Sequence, residues 1–199
     1  MKRLVCIVEG RGEVQAVPKL CARLLAYLGI KGWYVDENPI RRSRAELVDE
    51  RVSSPYRPCR PEQLGRVLLQ ARSRSPNAIL VLCDADDDCA GTWGPDASTL
   101  LVQSTKVPGA AVMAEREYET WLLAGLVEES SWKSSRGKRD AKGALRHSIP
   151  EYKPTTHQLM CTQQLDLARA WARSDSFDKL VRSLARLCGV KCPPRPVSP

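Results

Sequence analysis

The chain has 199 residues, 43% of them hydrophobic, and its 31 lysines and arginines against 23 acidic residues give a net charge of +8. This length supports one sizeable core with a small appendage, and no apolar run approaches the roughly 20 residues that span a bilayer. The apolar run after the basic start is too short for a signal peptide, so we expect a cytoplasmic protein with reduced cysteines and no membrane association. The positive charge favours nucleic acid or a nucleotide as the partner.

Apolar runs alternate with helical spacings along the first two thirds of the chain. Strands are predicted over residues 3–8, 33–35, 78–83 and 109–114. Helices are predicted over residues 14–28, 62–72, 96 onward with Pro95 near the start, and 116–126. Residues 36–61 form a long polar loop with a short helix over 44–52. The repeated strand–helix order predicts an α/β fold, with a mainly parallel central sheet flanked by helices.

The composition changes after residue 127. Residues 128–142 are basic and rich in serine, and helices are predicted over 158–173 and 177–187, the second capped by Ser174 or Asp175. The proline-rich end cannot pack and is expected to be disordered. The chain therefore divides into an α/β domain over 1–127, a segment over 128–190 that packs as a small helical appendage on the same domain, and a tail over 191–199.

Carboxylates follow three of the predicted strands. Glu9 comes directly after the first strand and precedes glycines that allow a sharp turn into a helix. Asp84, Asp86 and Asp88 follow the strand over 78–83, and Glu115 follows the strand over 109–114. Parallel strands deliver their carboxyl ends to one edge of a sheet, which is where open α/β sheets bind ligands. We therefore expect these acids to share one site.

The aspartate motif has the spacing of a metal site. Alternate residues of an extended turn point the same way, so Asp84 and Asp86 can share one ion, and Asp88 reaches the same ion or a second one. Asp87 points outward in this reading. Carboxylate oxygens favour a hard divalent cation. An acidic turn that only caps the next helix is the alternative.

The acids after the last predicted strand are harder to assign. Glu115 and Glu119 lie one turn apart if the helix begins near Arg116, and Glu117 lies between them. A helix start enriched in acids is common because the helix dipole favours negative charge there. Which of the three faces the metal depends on the helix phase, which the sequence leaves open.

The sequence resembles the Toprim fold of topoisomerases, primases and OLD-type nucleases, which has a glutamate after its first strand and an Asp-x-Asp after a later strand. It is more closely similar to the DUF4276 family of small Toprim-related bacterial proteins. That resemblance covers most of residues 4–187 in five blocks, which are Val8-Glu9-Gly10-Arg11-Gly12-Glu13, Leu80-Val81-Leu82-Cys83-Asp84-Ala85-Asp86-Asp87-Asp88-Cys89, Arg116-Glu117-Tyr118-Glu119-Thr120-Trp121-Leu122-Leu123-Ala124, Asp140-Ala141-Lys142-Gly143 and Ser176-Phe177-Asp178-Lys179-Leu180.

The resemblance implies a nuclease that hydrolyses phosphodiester bonds with Mg²⁺ or Mn²⁺. The implied metal residues are Asp84, Asp86 and Asp88. Glu9 would be the general acid or base, or a ligand of a second ion, and Glu119 would complete or orient the site. Possible additional acids are Glu13, Glu115 and Glu117. The resemblance also implies a subunit of a bacterial anti-phage system that works with an ATPase partner.

Basic residues flank the predicted acidic centre. Two stretches carry side chains suited to phosphate, namely Arg41, Arg42, Arg44, Arg57 and Arg60 in one and Lys133, Arg136, Lys138, Arg139 and Lys142 in the other. We expect nucleic acid to bind Arg11, Lys138, Arg139 and Lys142. A charged surface without this role is the alternative, and the sequence does not distinguish DNA from RNA.

Two other functions are compatible with these residues. A non-catalytic interaction subunit would keep the acidic site only as a structural element. A metal-dependent nucleotidyltransferase or glycosyltransferase is the other, because Leu82-Cys83-Asp84-Ala85-Asp86-Asp87 also resembles the metal motif of those enzymes. A phosphatase of the haloacid dehalogenase type fits less well, since its Asp-x-Asp follows the first strand, where this chain has Glu9-Gly10.

Overall fold

The computed structural model describes residues 1–48, 61–88, 90–136 and 140–197. Within these ranges five strands form one sheet, namely β1 (Lys2–Val8), β2 (Trp33–Val35), β3 (Ile40–Arg41), β4 (Ala78–Asp84) and β5 (Gly109–Ala114). The order is β2–β1–β4–β5, and β3 pairs with the last residues of β1. Every pairing is parallel. The predicted α/β fold is confirmed, and β3 is a short strand that the sequence does not predict.

Helices surround this sheet throughout the described ranges. They are α1 (Glu13–Tyr27), α2 (Arg44–Leu47), α3 (Pro61–Arg72), α4 (Ala90–Thr105), α5 (Tyr118–Leu126), α6 (Glu129–Ser135), α7 (Ala141–Ser148), α8 (Pro154–Gln164), α9 (Leu167–Arg173) and α10 (Asp175–Cys188). The predicted helix over 44–52 is shorter than expected, because α2 ends at Leu47 and Val48 is extended. Residues 49–60 lie outside the described part.

The sheet is covered on both faces because its strands are apolar on both sides. Alternate residues of β1 belong to different cores: Leu4, Cys6 and Val8 face α1, α5 and the C-terminal helices. Val5 and Ile7 face α2, α3 and α4. All five side chains are fully buried. Continuous apolar runs are what a parallel sheet between two helix layers requires, so the runs that identify the strands also explain the three-layer arrangement.

The C-terminal helices share the core of the α/β sheet. The rings of Trp121 in α5 and Phe177 in α10 meet edge to face with centroids 5.5 Å apart. Ser174 caps α10 by accepting the backbone N–H of Phe177 at 3.2 Å. The tail that the sequence predicts to be disordered contains Arg195, which donates to the backbone oxygen of Trp171 at 2.8 Å and pairs with Asp175 at 2.7 Å.

Helix α4 differs most from its predicted bounds. It begins at Ala90, whereas the sequence predicts a start near Asp96, and Pro95 lies inside it. The sequence does not predict the first turn of α4, because its glycines and proline have poor helix propensity. The buried Trp93 packs in the core on that face of the sheet and holds this turn in place. Tertiary packing therefore overrides the local preference.

The helical segment after residue 127 is also more divided than predicted. Helices α6 and α7 lie where the sequence indicates only a basic, serine-rich stretch, and the predicted helix over 158–173 is two helices. Asp166 makes the break, because its carboxylate accepts the backbone N–H of Arg169 at 2.9 Å and starts α9 as a new helix. No helix within the described ranges is long and apolar enough to cross a membrane.

Candidate active site at the carboxyl edge of the sheet

The turn after β1 is shaped by the side chain of Glu13. One of its oxygens accepts the backbone N–H groups of Glu9 and Gly10, both at 3.1 Å. Burial raises the pKa of Glu13 to about 7, and these two hydrogen bonds only partly oppose that effect. Glu13, predicted as a possible additional acid, therefore lies at the site and holds the turn that presents Glu9.

Glu9 connects the ends of β1 and β4. Its Oε2 accepts the backbone N–H of Asp84 at 3.3 Å and lies 3.5 Å from the guanidinium of Arg44. Burial raises the pKa of Glu9, and the charge of Arg44 opposes that rise. The ends of β1 and β4 therefore lie in contact, as the sequence predicts.

Asp84 lies at the centre of the acidic group as the last residue of β4. Its Oδ1 accepts the backbone N–H of Tyr118, the first residue of α5, at 2.7 Å. Burial raises the pKa of Asp84 well above its usual value, and the charges of Glu13, Glu119 and Glu9 raise it further. Glu13, Glu119 and Glu9 therefore lie near enough to Asp84 for their charges to disfavour its ionised form.

Asp86 and Asp88 are held on the other side of the turn by Arg44. The guanidinium lies 3.2 Å from Asp86 and forms a close ion pair with Asp88. It also donates to the backbone oxygens of Asp84 at 2.7 Å and Ala85 at 3.2 Å. Asp86 has a positive φ of 46°, which turns the chain away from the extended path that the sequence argument assumes.

The three predicted metal residues are therefore not brought together in this arrangement. Asp84 bonds to the start of α5, whereas Asp86 and Asp88 pair with Arg44. In the ranges that the structure describes, no three histidine, cysteine, aspartate or glutamate side chains are gathered closely enough to hold a metal ion. Asp87 is 60% exposed at the side chain, as predicted, and pairs with Arg116 at 2.6 Å.

Arg44 is a site residue that sequence reasoning placed in a different role. The sequence assigns it to a basic loop for phosphates, but it lies among Glu9, Asp86 and Asp88. It is the first residue of α2, which begins with a capping box between Ser43 and Glu46. That Ser-x-x-Glu pattern is readable in the sequence and marks where α2 starts, although not where Arg44 points.

The acids after β5 separate because α5 begins at Tyr118. Glu119 is 1% exposed and accepts the Tyr152 hydroxyl at 3.0 Å. Burial raises the pKa of Glu119, while Lys142 lowers it. Glu117 lies at the rim and binds Lys142, with its carboxylate 2.8 Å from the ammonium. Glu119 is therefore the inward acid of this helix.

Glu115 lies away from Asp84 in a second cavity. Its backbone N–H donates to the Ser176 hydroxyl at 3.0 Å. That cavity of about 610 Å³ lies between the aspartate turn, β5 and α10, and its lining includes Asp86, Asp88, Met113, Glu115, Arg116 and Lys179. The structure thus brings Glu119 toward Asp84 and leaves Glu115 beside Asp86 and Asp88.

Lys142 reaches the site from α7. Its ammonium lies 3.9 Å from Glu119, and its backbone N–H also donates to Glu117 at 3.3 Å. Burial lowers the pKa of Lys142, but Glu117 and Glu119 outweigh it and the pKa is raised. Arg11 is exposed in the turn after β1. The other predicted nucleic-acid contacts, Lys138 and Arg139, lie outside the described residues, as do Arg57 and Arg60.

A cavity of about 230 Å³ opens between these groups, which we call the inner cavity. Its lining includes Arg11, Glu13, Asp84, Glu119, Lys142 and Gln158. Carboxylate oxygens are the donors that Mg²⁺ and Mn²⁺ prefer. The acids here crowd one another, since the pKa of Asp84 is raised by burial and by three neighbouring carboxylates. The donor chemistry therefore fits a hard divalent cation.

Comparison with models of known protein families, with curated proteins and with solved structures found no match.

Proposed function

We propose that this protein is a Mg²⁺-dependent nuclease of the Toprim type that hydrolyses phosphodiester bonds in nucleic acid. The observation that carries the proposal is the meeting of Glu9, Asp84 and Glu119 at one edge of the sheet. Glu9 follows β1, Asp84 ends β4 and Glu119 lies in α5, the helix that follows β5. The charges of Glu119 and Glu9 add to the effect of burial in raising the pKa of Asp84. Buried acids with raised pKa values in a cleft are typical of functional sites.

A divalent cation at this edge would stabilise the charge of the phosphoryl transition state and activate water. Asp84 and Glu119 would hold it. Glu9 is suited to move a proton, because burial raises its pKa toward the working range of a general base. Lys142 and Arg11 border the inner cavity and would bind the phosphate oxygens of the substrate.

Cleavage assays with purified protein test this proposal. Plasmid, single-stranded DNA and RNA would be incubated with Mg²⁺ or Mn²⁺ and with wild type, Glu9→Gln and Asp84→Asn. Asp96→Asn is the matched control, because Asp96 is an exposed acid of α4 away from the inner cavity. We expect metal-dependent cleavage that both site variants lose and the control keeps. Cleavage by Asp84→Asn at the wild-type rate would contradict the proposal.

The alternative is a non-catalytic subunit in which the acidic turn is only structural. The specific observation in its favour is Arg44, which already neutralises Asp86 and Asp88 without a metal. The same assay separates the two functions, since a structural turn gives no metal-dependent cleavage with any substrate. An ATPase partner belongs to the nuclease proposal through the resemblance to the DUF4276 family, and adding that partner with ATP would then stimulate cleavage.

A further inference from the structure

Gln158 of α8 lines the inner cavity and has a side-chain oxygen that no described residue uses. The residue is 3% exposed, and its amide nitrogen donates to Glu119 Oε1 at 3.5 Å. Its Oε1 is buried and has no hydrogen-bond partner among the described residues. Exchanging the amide nitrogen and oxygen would place Oε1 against the Glu119 carboxylate, which is repulsive. The observed orientation is therefore the favourable one, and it leaves a buried acceptor that normally requires a partner.

The turn after β1 packs closely against this oxygen, which is possible because residue 12 is glycine. A Cβ at Gly12 would lie only 2.2 Å from Gln158 Oε1 and 2.8 Å from the backbone oxygen of Pro154. Gly12, Pro154 and Gln158 all line the inner cavity together with Asp84 and Glu119. A neutral acceptor and two carboxylates therefore surround the same space.

Glu119 is held in place for such a site by its neighbours. Tyr152, itself fully buried, donates its hydroxyl to Glu119 Oε1 at 3.0 Å. Lys142 lies 3.9 Å from the other oxygen, but its shortest contact is with Glu117 at 2.8 Å. Hydrogen bonds from a second layer of residues orient the ligands of metal sites in general. The Tyr152 contact has that form.

Asp86 and Asp88 do not face this space. Both line the larger cavity beside β5 and both pair with Arg44, whose side chain is 17% exposed. A cation bound to them would have to displace a guanidinium that also donates to the backbone oxygens of Asp84 and Ala85. The inner cavity is also lined by a cation, Lys142, but its ammonium lies 3.9 Å from Glu119 and binds Glu117 more closely, at 2.8 Å. Gln158 Oε1 has no hydrogen-bond partner among the described residues.

We propose that the divalent cation binds in the inner cavity, on the carboxylates of Asp84 and Glu119 and on Gln158 Oε1, and not on the Asp84, Asp86 and Asp88 motif. The ligand class is a hard, oxygen-preferring ion such as Mg²⁺ or Mn²⁺. Mg²⁺ uses one or two carboxylates and retains several waters, so two acids and one amide oxygen suffice. This placement rests on the proposed function for its biological meaning, but it concerns cation binding alone.

Binding of Mn²⁺ to the full-length protein, followed by the electron paramagnetic resonance signal of free Mn²⁺, tests the placement. We expect the Kd for Mn²⁺ to rise about 10–100-fold in Asp84→Asn and Glu119→Gln and about tenfold in Gln158→Leu. We expect it to stay within about twofold of wild type in the double variant Asp86→Asn, Asp88→Asn. Gln163→Leu is the control for Gln158→Leu, because Gln163 is exposed on the same helix.

A second variant keeps the test decisive if Gln158→Leu folds poorly. Gln158→Glu places another anionic oxygen at the cavity next to Glu119, so we expect a lower Tm without metal and a larger rise in Tm on adding Mn²⁺ than in wild type. An equal rise in both proteins would overturn the proposal. Loss of Mn²⁺ binding in the Asp86 and Asp88 double variant, with wild-type binding in Glu119→Gln and Gln158→Leu, would also overturn it.

The two proposals fail in different ways. Mn²⁺ binding that depends on Asp84, Glu119 and Gln158, without cleavage of any nucleic acid, would support the inner cavity and reject the nuclease. Cleavage together with Mn²⁺ binding that depends on Asp86 and Asp88 would support the nuclease and reject the inner cavity.

Discussion

The carboxylate of Asp84 accepts the backbone N–H of Tyr118 at 2.7 Å, so the last residue of β4 is bonded directly to the first residue of α5. This contact places Asp84 at the amino end of a helix, where the helix dipole favours negative charge. Glu119, the second residue of the same helix, is buried. A single hydrogen bond thus joins the end of β4 to the helix that carries Glu119.

The crowding of acids predicts that removing charge at Asp84 stabilises the metal-free protein. Asparagine keeps an oxygen that accepts the Tyr118 N–H and removes the repulsion from Glu13, Glu119 and Glu9. We expect the Tm of Asp84→Asn at pH 7 to rise by about 2–4 °C, which is about 1 kcal/mol at this chain length. Thermal unfolding with a chelator measures it. A lower Tm than wild type would show that repulsion is not dominant.

The raised pKa of Glu13 predicts a pH dependence of stability. Its pKa is about 7 in the folded protein because of burial, against about 4.3 in an unfolded chain. The folded state therefore binds this proton more tightly, and the stabilising contribution is full below about pH 4.3 and lost as the pH rises through about 7. We expect the Tm without metal to fall across that window, and to fall less in Glu13→Gln. Parallel curves of Tm against pH for wild type and Glu13→Gln would contradict the raised pKa of Glu13.

The position of Arg44 predicts a large cost when its charge is removed. Arg44→Ala leaves Glu9, Asp86 and Asp88 without their shared cation. We expect a loss of roughly 1–3 kcal/mol in the free energy of unfolding, measured with urea. Arg66→Ala in α3 is the control, because Arg66 is exposed, and should stay within about 0.5 kcal/mol of wild type. Equal losses in both variants would mean that the acidic turn does not depend on Arg44.

The placement of Lys142 predicts a contact with the phosphate backbone. Lys142→Ala should weaken binding to all nucleic-acid sequences by a similar factor. It should also reduce the slope of log K against log salt concentration by about 1, the value for one lost phosphate contact. Fluorescence anisotropy with a labelled oligonucleotide over a salt series measures this slope. Lys191→Ala removes an exposed lysine near the C-terminus and serves as the control. An unchanged slope in Lys142→Ala would remove Lys142 from the nucleic-acid contact.

The sequence predicts the strands well because their residues are buried on both faces. The runs that form β4 and β5 are apolar without interruption, and the structure places both inside the sheet. Helix bounds are less predictable where packing outweighs propensity. The packing of the buried Trp93 stabilises a helix in a stretch that contains glycines and a proline. The cap at Asp166 starts a new helix within a sequence pattern that predicts one continuous helix.

The site is only partly readable from the sequence. Glu9 and Asp84 follow strands, so their common edge can be predicted from parallel topology. The inward position of Glu119 depends on α5 starting at Tyr118, which no periodicity specifies. The roles of Arg44 and Gln158 arise from contacts with residues at least 35 positions away. Long-range contacts of single polar side chains leave no pattern in the local sequence.

The most direct test of the central claim is a single-turnover cleavage rate with saturating Mg²⁺ for wild type and for Glu9→Gln, Asp84→Asn and Glu119→Gln. The claim is that Glu9 after β1, Asp84 at the end of β4 and Glu119 in α5 form one catalytic site. It predicts a loss of about 10²-fold or more in each variant, the size expected when a group that acts in the reaction is removed. Wild-type rates in all three folded variants would contradict it.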